Sequence, residues 1–244
     1  MFSKHIAPTY ILSAALVIAS AAIFTYAQAP ARKQNDRAPD PAVALKVPDT
    51  PSPAENVWYA YDFSQPQFFI RHIVVEHDSA GRGRVILEWL GEQGRIVEPL
   101  RLSPAALGRI TSLWEALRFL DSDENYQADK QFPHLGTMRL TMRAGTRSRT
   151  AQFNWTHNRN ASALVNEYRR AGDQAIFVFE ITVARENRPL DAPKLMDQLE
   201  TMVTRGGLSD PQQLVPLLIE LKTDERIPLM ARNHAARILK KIQK

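Results

Sequence analysis

Hydrophobic residues along this chain change period several times, and each change marks an element. Phe68 to His77 (FFIRHIVVEH) is aromatic and β-branched, a Ser-Ala-Gly-Arg-Gly turn follows, and Arg84 to Leu90 (RVILEWL) resumes the pattern, which predicts a β-hairpin. In the second strand Val85, Leu87 and Trp89 share one face while Arg84, Ile86 and Glu88 share the other, as in a half-buried sheet. A turn at Gly91 to Gly94 leads to a third strand, Ile96 to Leu102, completing a meander. Ser103-Pro104 then opens a helix, because Ser accepts a bond from an orphan amide and Pro fits the first helical position. Leu107, Ile110, Leu113, Trp114, Leu117 and Leu120 recur at helical spacing and pack on the sheet, and the helix stops near Asp121. After a polar loop from Asp121 to Gly136 comes a second hairpin, Thr137 to Arg143 and Arg147 to Trp155, turned at Ala144-Gly145-Thr146. Its first strand directs Met138, Leu140 and Met142 inward and Arg139, Thr141 and Arg143 outward.

A helix over about Asn160 to Arg170 follows, with Ala161, Leu164, Val165 and Tyr168 on its apolar side. Ala175 to Ala184 (AIFVFEITVA) supports two readings. Its β-branched residues favour a strand, whereas its run into Arg185-Glu186-Asn187-Arg188 before Pro189 favours a helix end, and helix is the reading adopted. From Pro193 the pattern is helical: Pro193 to Thr204, then a helix opened by Asp210-Pro211 and running to about Lys222, then Ile227 to Ile242, the last two as a hairpin. The expected fold is therefore α+β: an antiparallel sheet in the order β-β-β-α-β-β-α over residues 57–190, helices on one face, and a helical appendage over 191–244.

The N-terminal pattern is of another kind. Tyr10 to Ala27 is an uninterrupted apolar run preceded by Lys4 and followed by small residues at Ala27-Gln28-Ala29 and Ala29-Pro30-Ala31, so residues 1–29 read as a signal peptide or a membrane anchor. Both readings stand, since the run is just long enough to span a bilayer and Pro30 hinders cleavage after Ala29. A core helix would carry charge on one face, and nothing from Ile6 to Ala31 is charged. Residues 30–56 are rich in Pro and Ala without aromatic residues, the composition of an extended tether. The body of the chain is thus expected outside the cytoplasm, periplasmic or secreted, and held to the membrane through residues 10–27 if the run is retained.

Composition narrows the chemistry. The chain has no Cys, which removes disulfides, thiolate metal sites and thiol nucleophiles. Its net charge of +5 is unevenly spread: Arg139, Arg143, Arg147, Arg149, Arg159, Arg169 and Arg170 face a single acid, Glu167, between Arg139 and Arg170. Arginine grips carboxylates and phosphates with two prongs, so Arg139, Arg143, Arg147 and Arg149, with Trp155 beside them, are the candidate partner-binding residues. The partner expected is an acidic protein or an anionic cell-envelope component such as a glycan or lipid headgroup, and export argues against nucleic acid. The densest catalytic candidate is His72, Glu76, His77, Asp78 and Ser79. In a strand His72 and His77 point to opposite faces and cannot easily grip one ion, so Glu76 to Asp78 reads as a polar strand end. His134 and His157 lie in predicted loops without partner spacing, and the HExxH, GxSxG and phosphate-cradling Gly-rich patterns are absent. Neither a cofactor nor a metal is expected. A non-catalytic binding role is preferred over a hydrolase assembled from His134, His157 and acids that the fold would have to bring together.

Two resemblances add to this. The strand and helix order from Phe68 to Arg170, with the Gly81-Arg82-Gly83 turn, the helix ending in Arg118-Phe119-Leu120 and the aromatic second hairpin, resembles the emfourin domain, which implies inhibition of an exported protease. Leu214, Leu217, Leu221, Ile227, Ala231, Ala235 and Leu239 within Asp210 to Ile242 resemble a single HEAT-type helical repeat.

Overall fold

The computed structural model describes residues 57–91 and 94–243. The apolar run at 10–27 and the tether at 30–56 lie outside the described residues. Among the described residues no helix is long and apolar enough to cross a membrane.

Six antiparallel strands form one sheet: β1 (Val57–Ser64), β2 (Ile70–Asp78), β3 (Arg82–Trp89), β4 (Ile96–Arg101), β5 (Thr137–Ala144) and β6 (Arg147–Phe153), in the spatial order β4-β3-β2-β1-β5-β6. The expected α+β class and the one-sided sheet are therefore present. The strand order needs one correction, because β1 precedes the meander and the sequence reading began the sheet at Phe68. Tyr59, Tyr61 and Phe63 do alternate with Ala60, Asp62 and Ser64, yet the run lies directly between the Pro-rich segment and Gln65-Pro66. Its position is decisive. β1 pairs with β2 on one side and β5 on the other, so it seals two hairpin units into a single sheet. At the β2–β3 turn Gly83 allows a close approach: a Cβ there would fall 1.8 Å from the Glu76 carbonyl oxygen, so any other residue would force the pair apart.

Helices cover one face of this sheet. In α1 (Pro104–Ala116) the Ser103 side chain accepts from the Ala106 amide, and Ala106, Ile110 and Trp114 are buried against the strands. Arg159–Asn187 forms one continuous helix, α2, capped by the Asn158 side chain on the Ala161 amide. It joins the helix foreseen over 160–170 to the ambiguous 175–184 segment. Ile176, Phe177, Ile181 and Ala184 recur at helical spacing and are buried, and that packing overrides the β preference of the intervening Val178, Phe179 and Thr182. With 29 residues the helix is about 43 Å long, enough to serve two cores. Its first half packs with α1 on Tyr61, Val75, Val85, Leu87 and Leu140 of the sheet. Its second half packs with α3 (Ala192–Arg205), α4 (Val215–Leu221) and α5 (Leu229–Ile242) around Met196, Leu199, Leu218, Ala235 and Ile238. The foreseen C-terminal helices and their hairpin are present, the Asp210-Pro211 start being one turn of 3₁₀ helix, Pro211–Leu214, before α4.

Candidate functional site

Between the first half of α2 and the β1, β5 and β6 end of the sheet lies a cleft of about 530 Å³. Its floor follows from the strand alternation that turns Tyr61, Met138 and Phe153 toward the helices, and all three are buried. Tyr61 stacks on Tyr168 with ring centroids 5.6 Å apart. Phe68 and Trp155 stand at the rim, 45% and 43% exposed, where the chain leaves β1 and β6. On the helix wall Gly172 carries no side chain, which keeps the wall low over Ile73 and Val75. The cavity thus falls within the size and apolar character of sites that hold small ligands.

Two opposite charges border it, Arg169 and Asp173, one turn apart on α2. The Arg169 guanidinium lies 5.8 Å from the centroid of the Phe63 ring, and its Nη2 is 3.5 Å from Met138 Sδ. No carboxylate of the described residues lies within ion-pair distance of it. Asp173 is accessible at the mouth, but the surrounding apolar walls withdraw solvent from one side, and this raises its pKa against the opposing pull of Arg169. The Tyr61 hydroxyl is buried, lies near the Arg169 side chain, and donates to no acceptor among the described residues. Burial also raises its pKa, countered by the nearby Arg169 charge.

The candidate arginines do not converge. Arg139 and Arg143 lie on the open face of the sheet, as their alternation foretold. There Arg139 reaches Asp62 at 3.3 Å and Gln152 at 3.0 Å. Arg147 and Arg149 turn to the opposite side and grip the segment after α1. Arg147 donates to the Leu120 carbonyl at 2.8 Å and pairs with Asp121. Arg149 donates to the Phe119 carbonyl at 2.7 Å and the Glu124 carbonyl at 2.6 Å, with its guanidinium over the Phe119 ring. A single patch from all four is excluded because strand alternation splits them between two faces. Trp155 alone of the candidates lines the cleft, and it is Arg169, from the same basic stretch, that joins it there.

The histidines are dispersed as well. His72 sits on the open face, 3.1 Å from Asp62 and 3.3 Å from Glu88, and this contact, followed by Arg71 and Arg95, lowers the pKa of Glu88. His77 corrects the reading of Glu76 to Asp78 as a polar strand end: its ring is fully buried beneath Tyr59 and Tyr168. His134 lies edge-on to Phe132, while the main chain beside it accepts from Gln65 Nε2 at 2.9 Å. Among the described residues neither the His134 nor the His157 ring hydrogen-bonds a carboxylate, and no three His, Asp or Glu side chains are placed to hold a metal ion.

Sequence reasoning missed Tyr61, because β1 was missed, and missed that Arg169 and Asp173 stand together at the edge of an apolar cavity. The i, i+4 spacing of those two was the one available signal, and on an exposed helix it ordinarily marks a solvated ion pair. No protein-family model matches this chain, and no curated protein matches it.

Proposed function

We propose that this chain is an exported, non-catalytic recognition domain whose site is the α2 cleft, and that its partner presents an apolar group joined to a carboxylate. The observation that carries this reading is Arg169, a cation without a carboxylate partner at the rim of an aromatic cavity. Buried aromatic surface supplies most of the affinity in such sites, and a guanidinium fixes the orientation of an anion by two parallel bonds. The carboxylate expected of the partner is kept, while its docking point moves from the hairpin arginines to Arg169 and Trp155. Export is supported by the apolar run and the Pro-rich tether, which would set the domain away from a membrane.

Calorimetric titration of the full-length chain with 3-phenylpropionate, an anion carrying one aromatic ring, tests the site. Saturable binding to one site is expected. Arg169→Gln and Trp155→Ala should each weaken it about tenfold, the scale of one lost charged hydrogen bond or one aromatic contact, whereas Arg143→Ser should leave it unchanged. Absence of saturable binding, or equal affinity in Arg169→Gln, overturns the reading.

A further inference from the structure

We infer that the natural occupant of the cleft is a free α-amino acid with a large apolar side chain, its carboxylate on Arg169 and its ammonium on Asp173. The inference rests on the cleft being a ligand site and names the class of ligand.

Arg169 and Asp173 are spaced i, i+4, which puts their Cβ atoms about 6 Å apart on one face of α2. At that spacing an acid and a base on an exposed helix close on each other, less readily when the base comes first, as here. These two have not closed. The guanidinium is turned to Phe63 and Met138 instead, and Asp173 has no ion-pair partner among the described residues. A zwitterion whose charges are joined through one carbon fits between them, because it satisfies both without drawing the side chains together. The Tyr61 hydroxyl supplies a second donor for the carboxylate end. It is buried, donates to no acceptor among the described residues and is part of the lining, a costly arrangement unless something else accepts from it.

The floor decides the side chain. Tyr61, Phe63, Met138 and Phe153 offer aromatic and thioether surface and no charge, so a charged side chain would be desolvated there without compensation. A cationic occupant is further disfavoured by Arg169 at the same rim. An apolar neighbourhood also holds the Asp173 proton more tightly than water does, and an arriving ammonium would reverse that effect.

Titration of the full-length chain with L-phenylalanine, 3-phenylpropionate and L-phenylalaninamide separates the two charges. Wild type should bind L-phenylalanine at least about tenfold more tightly than either analogue, the scale of one charged contact. Asp173→Asn should bind L-phenylalanine and 3-phenylpropionate equally, and retained 3-phenylpropionate binding shows that this variant is folded. Arg169→Gln should bring L-phenylalanine down to the affinity of the amide. If L-phenylalanine binds wild type no better than 3-phenylpropionate, the amino-acid assignment is overturned while the cleft remains a site for apolar anions. If none of the three binds, both fail together.

Discussion

His77 Nε2 lies 3.0 Å from the Tyr168 hydroxyl, deep between the sheet and α2. The Trp114 indole donates to the same hydroxyl at 2.9 Å, and His77 Nδ1 is 2.7 Å from the Asp78 carbonyl oxygen. A carbonyl only accepts, so Nδ1 carries the proton, and Nε2 accepts from Tyr168 while the Tyr168 oxygen accepts from Trp114. Every polar atom of this hydrogen-bonded relay is satisfied with the imidazole neutral. Burial accordingly lowers the pKa of His77 and raises that of Tyr168.

Tyr168→Phe would leave two buried groups unpaired, Nε2 of His77 and the Trp114 indole N–H. Unfolding by urea should show a loss of about 2–6 kcal/mol, at about 1–3 kcal/mol for each of the two unpaired groups. A loss below 0.5 kcal/mol, the ordinary scatter of neutral substitutions, would contradict the relay described above.

The same His77 sets a pH dependence. Its folded pKa is depressed, so the unfolded chain takes up a proton below about pH 6.5 while the folded one does not. The stabilisation is fully present above that pH and is lost as pH falls toward the folded value, with a slope of up to about 1.4 kcal/mol per pH unit. Denaturation midpoints recorded from pH 7.5 to 5 should decline in wild type, and the decline should flatten in His77→Asn.

Arg149 and Arg143 lie on the two strands of one hairpin, six residues apart in sequence, and should behave oppositely. Arg149 holds two carbonyls of the segment after α1 and lies over Phe119, whereas Arg143 projects from the open face with no ion-pair partner among the described residues. Arg149→Ala should destabilise by about 2–3 kcal/mol, as expected for charged hydrogen bonds, and Arg143→Ala by less than about 0.5 kcal/mol. Thermal melts of the two variants side by side decide it.

Asp224 ties the α4–α5 connection to the end of α2. Its side chain is 7% exposed and accepts from Arg226 Nη2 and Arg185 Nε, each at 2.7 Å. The Arg226 bonds first, then those of Arg185, hold its pKa well below the carboxylate range. Asp224→Asn should cost about 2 kcal/mol at pH 7. Because the folded pKa is depressed, that contribution is present above about pH 4 and is lost as pH falls further, so the gap between wild type and variant should close toward pH 2. A gap that stays constant with pH would assign Asp224 a packing role instead.

Local signals served well where the physics is local. The Ser103 cap, the Pro104 start and the Met138, Leu140, Met142 alternation need only a few neighbouring residues to be read, and each is present. The 175–184 segment was legible only through its helical end, since its β-branched residues point the other way and only packing on α3 to α5 resolves the conflict. β1 was passed over because it lies between the Pro-rich segment and Gln65-Pro66 and its strand character is completed by partners on both sides, one of them distant in sequence.

By itself, then, the sequence determined the α+β class, the faces of its strands and helices, the absence of thiol chemistry and the character of the leading apolar run, all of which depend on residue type and spacing. Tertiary structure alone decided that β1 joins two hairpin units, that Arg147 and Arg149 grip the segment after α1, that His77 is buried, and that Tyr61, Trp155, Arg169 and Asp173 surround one cavity. The reason is geometric: a cavity is the space left between elements, so it is set by how a helix lies on a sheet and not by the period of either one.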